Sequence, residues 1–279
     1  MDFRSQLNYL QQHPGFRAQP LTTLARLVRW RVHCLAGRPA TIRLPHAGLR
    51  FHLPPSWRGM AKTVYVFGDR YYEPELLFIE ELLQPGQVFV DVGASLGLYT
   101  VLGANRVGQS GRVVAVEAAA AAFTQLQRNI RLNGLNMVHA IHAAAAETDG
   151  RTRLYCDPDP DRNTIVPSGV STPRAYEDVA ARSIDSLLEE VGCDHVDVIK
   201  IDVEGAEERV LRGASDGLRD RPTVLFECNT PDTWHFLRNL GYRLCTLTDY
   251  GALRELTSVP LLGTNVLALG SALQAVRVE

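Results

Sequence analysis

Residues 88–97 have the sequence VFVDVGASLG, and this stretch decides the fold. Its first five residues are apolar except for Asp91, as in a strand that is buried on both faces of a parallel sheet. Gly93 and Gly97 then bracket a turn in which the backbone can approach a ligand closely, and residues 98–106 begin a helix. A strand, a small-residue turn and a helix in this order are typical of a nucleotide-binding α/β domain.

A second acid lies at the end of the next predicted strand. This strand covers residues 112–116, and Glu117 follows it at the position where a doubly wound sheet presents a carboxylate to ribose hydroxyls. The turn lacks the further glycines of a dinucleotide fingerprint, and no Gly-Lys pair of a phosphate loop follows Gly97. We therefore expect S-adenosylmethionine rather than NAD, because it carries no phosphate and its sulfonium and ammonium groups favour an acidic site.

Residues 196–207, VDVIKIDVEGAE, are the more specific of the two motifs. They predict another buried strand with a charged carboxyl end, and a buried carboxylate without a partner costs roughly several kcal/mol. Asp202 and Glu204 are therefore poor core residues, but they suit the edge of an α/β sheet where ligands bind. Lys200 shares a strand face with Asp202, which favours an ion pair over a catalytic role.

Both motifs resemble those of the FkbM-type methyltransferases, a branch of the class I S-adenosylmethionine-dependent enzymes. The resemblance covers about residues 70–270 and rests on residues 72–75 (YEPE), 85–86 (PG), 91–97, 117, 148–150 (TDG), 184–187 (IDSL) and above all 200–207 (KIDVEGAE). The sequence departs from the usual family pattern at Ser95, Ala118 and Glu147, where the family has Asn, Pro and often Asp. The resemblance implies that Ser95 contacts the methionine end of the cofactor and that Glu147 accepts from the adenine amino group.

These considerations define the expected site residues. The expected cofactor-binding residues are Asp91, Gly93, Ala94, Ser95, Gly97, Glu117, Ala144, Glu147 and Asp202. The expected catalytic residues are Asp202, Glu204 and Glu207, with Glu227 at a neighbouring strand end and with His142 and His235 as alternative bases. Four acids near one crevice also permit a divalent metal, but the spacing is not that of a chelating loop and the resemblance requires none, so we predict no metal site.

Strands and helices alternate from residue 73 to residue 269. This pattern predicts a class I methyltransferase (Rossmann-like) fold, a doubly wound, mostly parallel seven-stranded sheet preceded by an N-terminal helical extension. We divide the chain into a basic extension or cap, residues 1–70, and a methyltransferase domain, residues 71–279. Residues 156–176 form a Pro- and Asp-rich insertion that we expect to order over the acceptor.

Charge divides the chain unevenly. The first 60 residues contain nine arginines and a single acid, Asp2, whereas the complete chain of 279 residues has a net charge of −2. Apolar residues at 21, 24, 27, 28, 30 and 32 predict a helix whose apolar face docks while its arginines stay solvated. We expect it to cap the acidic domain; a peripheral membrane or anionic-substrate surface is the alternative, and nucleic acid is disfavoured because recognised motifs are missing.

The remaining composition bears on location. No apolar run reaches membrane-spanning length, and arginines interrupt residues 21–35, so neither an integral membrane segment nor a signal peptide is expected. Five cysteines form no CxxC pair and leave one over, which favours reduced thiols in the cytoplasm. The chain has two lysines against 27 arginines, a usage associated with GC-rich bacterial genomes. Nothing in the sequence decides the oligomeric state.

The resemblance implies a function as well as a fold. It indicates an S-adenosylmethionine-dependent O-methyltransferase that acts on a hydroxyl of a small-molecule, sugar or natural-product acceptor. N-methylation and methylation of a carboxylate on a peptide or natural product are the alternatives among enzymes. A cofactor-binding scaffold without catalysis is the alternative from another class, and the acidic motif around Asp202 argues against it.

Overall fold

The computed structural model of the protein describes residues 11–44, 47–167, 175–248 and 251–273. Its strands are β1 (Ala40–Arg43), β2 (Arg50–Leu53), β3 (Val88–Val92), β4 (Arg112–Glu117), β5 (Val138–His142), β6 (Ala144–Ala145), β7 (Gly150–Cys156), β8 (Ala175–Arg182), β9 (Val198–Ile201), β10 (Thr223–Cys228), β11 (Arg243–Leu247), β12 (Leu253–Glu255) and β13 (Thr264–Leu269). Its α-helices are α1 (Pro14–Ala18), α2 (Pro20–Leu35), α3 (Met60–Phe67), α4 (Pro74–Leu82), α5 (Leu98–Val107), α6 (Ala120–Asn133), α7 (Ile184–Glu190), α8 (Glu207–Arg212) and α9 (Pro231–Asn239).

In the described part of the chain, the central sheet has eight strands in the order β12-β11-β13-β10-β9-β3-β4-β5. Strands β10, β9, β3, β4 and β5 are parallel neighbours, and β13, β11 and β12 extend the sheet antiparallel. The predicted α/β, mostly parallel fold is confirmed, but the predicted number of seven strands is wrong. The additional strand is β12, whose three residues are too few to produce an alternating apolar pattern.

Both faces of the sheet are buried, as the uninterrupted apolar strands predict. Phe89 and Val198 belong to one apolar cluster, whereas the neighbouring residues Val90 and Ile199 belong to a second cluster on the opposite face. Helices α4 and α5 contribute to the first cluster, and α7, α8 and α9 contribute to the second. This arrangement is the doubly wound architecture, and it brings the carboxyl ends of β3, β4, β9 and β10 to one edge of the sheet.

The insertion is partly ordered. The predicted strand after Gly150 is β7, which pairs antiparallel with β8, and the two form a three-stranded sheet with β6. Between them the chain forms a short 3₁₀-helix, Pro160–Arg162, and Thr164 bridges back to Tyr155. Residues 168–174 of the predicted insertion lie outside the described residues.

The N-terminal extension is part of the main core. Phe51 and Val64 lie in the same apolar cluster as Leu76 and Leu102, so apolar contacts cross the predicted boundary at residue 70. The boundary itself stays a prediction. The described residues contain no helix that is long and apolar enough to cross a membrane.

Helix α2 has the predicted position, but its predicted docking face is confirmed only in part, because Leu27 and Trp30 pack on the core and the other predicted apolar residues do not. The residues that it buries are Thr23 and Trp30, whereas Leu21, Leu24, Val28 and Val32 are exposed. Trp30 determines this orientation, because its indole ring is fully buried and its Nε1 donates to the Ser56 carbonyl at 2.9 Å.

Two asparagines of α6 fasten the β1–β2 hairpin to the domain. Asn129 Oδ1 accepts from His52 N at 2.6 Å, and its Nδ2 donates to the carbonyls of His52 and Leu96 at 3.2 and 2.8 Å. One turn later Asn133 makes the same pair of bonds with the backbone of Arg50, at 2.8 and 2.7 Å. The backbone N–H and C=O groups of Arg50 and His52, on the edge of β2 that faces α6, are thus paired by side-chain amides of that helix.

Substitution of Asn129 tests this attachment. Asn129 is fully buried, so Asn129→Ala leaves the His52 N–H and two carbonyls without partners and should lower the free energy of unfolding by about 2–3 kcal/mol. Asn133→Ala is the matched control, because water reaches Arg50 and the loss should stay below about 1 kcal/mol. Urea titrations of both variants, followed by circular dichroism, measure the difference. Equal losses would contradict the proposed dependence on burial.

Candidate functional site

A cavity opens at the carboxyl edge of β3, β4 and β9, where the sequence predicts a ligand site. Five of the predicted cofactor-binding residues line it: Gly93, Ser95, Glu117, Ala144 and Asp202. Ala94 and Gly97 belong to the same turn but do not line the cavity, and Glu147 is exposed on its outside. Their predicted contacts with a cofactor stay predictions.

Glu117 is the most firmly positioned acid of the cavity. Its side chain is only 8% exposed, Oε2 accepts from Ser95 N at 2.7 Å, and Oε1 accepts from Ala119 N at 2.7 Å. Burial raises the pKa of this carboxyl, and the two backbone N–H groups oppose the increase. Each oxygen retains lone pairs for further donors, such as ribose hydroxyls.

Gly93 is required by the packing of the two motifs. Its φ of +73° favours glycine, and a Cβ atom at this position would collide with the backbone carbonyl of Asp202. Asp202 N in turn donates to the Val92 carbonyl at 3.1 Å. The turn after β3 and the loop after β9 therefore contact each other directly through backbone atoms.

Lys200 lines the cavity and joins the same two segments. Nζ donates to the Gly93 carbonyl at 3.0 Å, and it lies 3.4 Å from Asp202 Oδ2 and 3.7 Å from Asp91 Oδ1. Burial alone would lower the pKa of Lys200, but the charges of Asp202, Asp91 and Glu73 raise it above its ordinary value. The predicted ion pair is confirmed.

Asp91 lies below the cavity, outside its lining. It is fully buried, and Oδ2 accepts from Thr100 Oγ1 at 2.5 Å. Burial raises its pKa, and the charge of Lys200 opposes the increase. This position supports a role in holding Lys200, and the predicted contact of Asp91 with the cofactor stays a prediction.

Three carboxylates converge next to the cavity, at the carboxyl ends of β9 and β10. Asp202, Glu204 and Glu227 each place one oxygen so that all three atoms lie within 4.8 Å of one another. Burial and the charges of Glu227 and Asp202 raise the pKa of Glu204 to about 8, and burial likewise raises the pKa of Glu227. The cluster can therefore take up a proton near neutral pH. Three carboxylate oxygens are also the ligand type that Mg²⁺ prefers.

Glu207 and Asn229 lie behind this cluster. Glu207 is fully buried, and its Oε1 accepts from Gly205 N at 2.9 Å and from Asn229 Nδ2 at 3.2 Å. Asn229 Nδ2 also donates to Glu227 Oε2 at 2.8 Å. Asn229 was not predicted as a site residue, although its position just after β10 is the same kind of signal that identified Glu117. The catalytic role of Glu207 stays a prediction.

An acid–tyrosine pair, Glu73 and Tyr99, borders the cavity. Tyr99 lines the cavity, and its hydroxyl donates to Glu73 Oε2 at 2.8 Å. Burial raises the pKa of Glu73 to about 7, against the effect of this hydrogen bond. Glu73 belongs to the Tyr72–Glu75 motif of the resemblance but was not predicted as a site residue.

Residues of the insertion between positions 160 and 165 line one side of the cavity, and we call them the roof. Asp161 accepts from Ser95 Oγ at 3.2 Å and from the backbone N–H of Met60, and both of these residues line the cavity. Thr164 Oγ1 donates to the Glu204 carbonyl at 2.8 Å. The free space below this roof is about 80 Å³, well below the roughly 300–1,000 Å³ of common ligand pockets.

The alternative bases lie outside the cavity. His142 is exposed, stacks on Phe123 at a centroid distance of 4.9 Å, and has its Nε2 3.0 Å from the Ala118 carbonyl oxygen. His235 is exposed on α9 and contacts the edge of Trp234. Neither ring lines the cavity.

Comparison with known proteins places this arrangement in a family. A family model described as the Methyltransferase FkbM domain matches residues 91–244, more than half of the chain. "Methyltransferase 1" of Beauveria bassiana (strain ARSEF 2860) is 28% identical over 174 residues, which cover 56% of this chain and 64% of that protein. "Methyltransferase sdnD" of Sordaria araneosa is 27% identical over 158 residues, which cover 46% of this chain and 60% of that protein.

Both matches span less than two thirds of these curated relatives, which are fungal. Among solved structures, the methyltransferase FkbM from Methylobacillus flagellatus KT has a TM-score of 0.45 and 19% sequence identity. That alignment covers 75% of this chain and 54% of the solved chain.

Removal of the Lys200 ammonium tests its structural role. Lys200→Met leaves the fully buried Asp91 carboxylate without its cation and should lower the free energy of unfolding by about 3–5 kcal/mol. The double variant Lys200→Met/Asp91→Asn removes the uncompensated charge, so it should be more stable than the single variant. Chemical denaturation at pH 7 compares the two. A double variant that is no more stable would show that Asp91 is not the group that Lys200 compensates.

Proposed function

The chain belongs to the Methyltransferase FkbM domain family, and from this premise we propose that it transfers a methyl group from S-adenosylmethionine to a hydroxyl oxygen of a small-molecule, sugar or natural-product acceptor. The observation that carries the proposal is the position of the Asp202, Glu204 and Glu227 carboxylates beside a cavity whose rim holds Glu117.

The cavity residues fit this cofactor chemically. Glu117, Asp161 and Asp202 line the cavity, and its one lining cation, Lys200, is already paired with carboxylates. Such a site attracts the sulfonium and ammonium groups and repels phosphates, which supports S-adenosylmethionine over NAD. The alanines at 118, 143, 144 and 145 supply an apolar wall of the kind that an adenine ring requires.

The proton of the acceptor hydroxyl is what the protein must remove. When bound, S-adenosylmethionine supplies a methyl group that its sulfonium already activates, so no covalent nucleophile of the protein is required. Asp202 and Glu204 are the proposed proton acceptors. Glu227 is proposed to orient the methyl acceptor or to raise the pKa of Glu204 through its charge. The pKa of the Glu204 carboxyl is about 8, so its ionised carboxylate is a stronger base than that of an ordinary glutamate. This property supports Glu204 as the proton acceptor.

The same charges bear on the alternative acceptors. A carboxylate acceptor would enter a cluster of three acids and would be repelled, which argues against methyl ester formation. An amine is attracted as an ammonium ion, so N-methylation is the second candidate, and it too requires a proton acceptor. Mass spectrometry of products from matched hydroxyl and amine acceptors distinguishes the two reactions.

The insertion and the N-terminal segment together shape the proposed acceptor side. Asp161 of the insertion accepts hydrogen bonds from Met60 of the extension and from Ser95 of the turn after β3. The insertion, the extension and this turn therefore meet at the roof. Because the free space beneath it is about 80 Å³, we propose that this roof moves when ligands bind.

The cysteines bear on the compartment in which we propose that the reaction takes place. All five cysteines are free, and Cys228 and Cys245 are buried, which supports our proposal of a reducing compartment such as the cytoplasm.

The first test of the proposal is cofactor binding. Glu117→Gln should weaken the binding of S-adenosylmethionine, measured by calorimetry, by about 1.5–3 kcal/mol, because a charged acceptor is lost. Glu147→Gln is the comparison, since Glu147 is exposed outside the cavity and we expect a smaller effect. Micromolar binding of NAD, with none of S-adenosylmethionine or its demethylated product, would refute the cofactor assignment.

The second test is the pH dependence of turnover. With Glu204 as the base, the rate should rise as pH increases through about 8, where its carboxyl ionises. Glu204→Gln should abolish this rise and lower the rate by about 10²-fold. Asp202→Asn tests the other carboxylate, and His142→Gln serves as a control. If both carboxylate variants turned over like the parent between about pH 6 and 9, the base would lie elsewhere.

The raised pKa of the Glu204 carboxyl also predicts that the free energy of unfolding depends on pH. The folded protein holds the Glu204 proton up to about pH 8, whereas an unfolded chain releases it near 4.5. The contribution of Glu204 to the free energy of unfolding therefore decreases as pH rises from about 4.5 to 8. Glu204→Gln should remove this part of the slope in urea titrations across that range.

A further inference from the structure

Helix α2 presents an apolar stripe to solvent on the side opposite its buried face. Leu21, Leu24, Val28, Val32 and Leu35 follow one another at intervals of three or four residues, so they lie along one line of the helix. Their exposed fractions range from 43% to 81%. They are five of the nine large apolar residues exposed in the described part of the chain, which concentrates the exposed apolar surface on this helix.

The surroundings of this stripe are cationic. Arg29 and Arg31 flank it on its two sides, and the sequence contains no acid between Asp2 and Asp69. Arg31 lies over the Trp57 ring at 4.8 Å, and such stacking leaves its charge available at the surface. An apolar stripe between arginines is the pattern of helices that lie in the interface of an anionic membrane.

A groove of about 670 Å³ adjoins α2. Arg26, Arg29, Arg43 and Arg70 line it together with His33, and Asp69 is its one acid. Within the described ranges, none of these four guanidinium groups takes part in an ion pair. Among the described residues the groove therefore carries positive charge that Asp69 alone does not balance, and this charge favours the binding of an anionic group.

We propose that the stripe of α2 and the adjoining arginine groove dock the protein on an anionic phospholipid surface. The stripe enters the boundary between headgroups and acyl chains, and the groove arginines bind lipid phosphates. Arg29 borders both features, so one helix orientation satisfies both contacts. A second copy of the chain is a poorer occupant, because it would bring two arginine-flanked surfaces of the same sign together.

Vesicle flotation of the full chain tests this proposal. The probes are vesicles of phosphatidylcholine alone and vesicles with about 30 mol% phosphatidylglycerol, at low and high salt. We expect binding to the anionic vesicles only, and a decrease at high salt because the phosphate contacts are screened. Sedimentation analysis without lipid records the oligomeric state in parallel.

Two matched pairs of variants separate the apolar and the cationic contributions. Leu21→Glu/Leu35→Glu should lower vesicle binding at least about tenfold, whereas Leu261→Glu/Leu262→Glu, which alters two equally exposed leucines elsewhere, should not. Arg26→Gln/Arg29→Gln should lower it about fivefold per arginine. Arg106→Gln/Arg254→Gln is its control, because it removes the same charge from other exposed positions. All substituted positions are on the surface or in the groove, so the variants should fold.

Three results would overturn the proposal. The first is a parent protein that does not float with anionic vesicles. The second is vesicle binding that the stripe variant and its control reduce equally. The third is a parent dimer that Leu21→Glu/Leu35→Glu dissociates, because the stripe would then be covered by a second copy. A failure of methyl transfer would leave this test unaffected, since vesicle binding is read without turnover.

Discussion

The site depends on the contact between two strand ends. The turn at Gly93 leaves no room for a side chain because the Asp202 carbonyl lies against it, and the Lys200 ammonium bonds the Gly93 carbonyl from within the sheet. A buried ammonium requires nearby negative charge, which Asp91 and Asp202 supply. One electrostatic requirement thus fixes the relative position of the segment that carries the cofactor turn and the segment that carries the proposed base.

The same contact explains why the acids of the site differ in character. Asp91 and Asp202 share the charge of Lys200, whereas Glu204 and Glu227 are more distant from it and repel each other. Glu204 also has a φ of +54°, a conformation that a residue with a side chain adopts at a cost of about 1–3 kcal/mol. Strain and charge repulsion therefore coincide at the residue that we propose as a proton acceptor, a combination typical of functional sites.

Sequence patterns predict those parts of the molecule that local chemistry determines. Strand β3 begins and ends at the predicted residues, because an apolar run between turn residues leaves little choice. The roof made by Asp161, the attachment of β2 through Asn129 and the pairing of Asp91 with Lys200 depend on residues that are far apart in the chain, and no local pattern reports them. The apolar residues of α2 predict its orientation only in part, because they lie on both sides of the helix and the large Trp30 decides which side is buried.

The attachment of the β1–β2 hairpin to α6 affects where the domain can be cut when segments are exchanged between related proteins. The segment recognised by similarity, residues 91–244, is smaller than the unit that folds, because Phe51, Val64 and Phe89 complete its core and Asn129 bonds a strand outside it. Excised alone, that segment would expose apolar surface and unsatisfied amides. An exchange of segments with a related protein should therefore succeed only at boundaries that keep the β1–β2 hairpin together with α6.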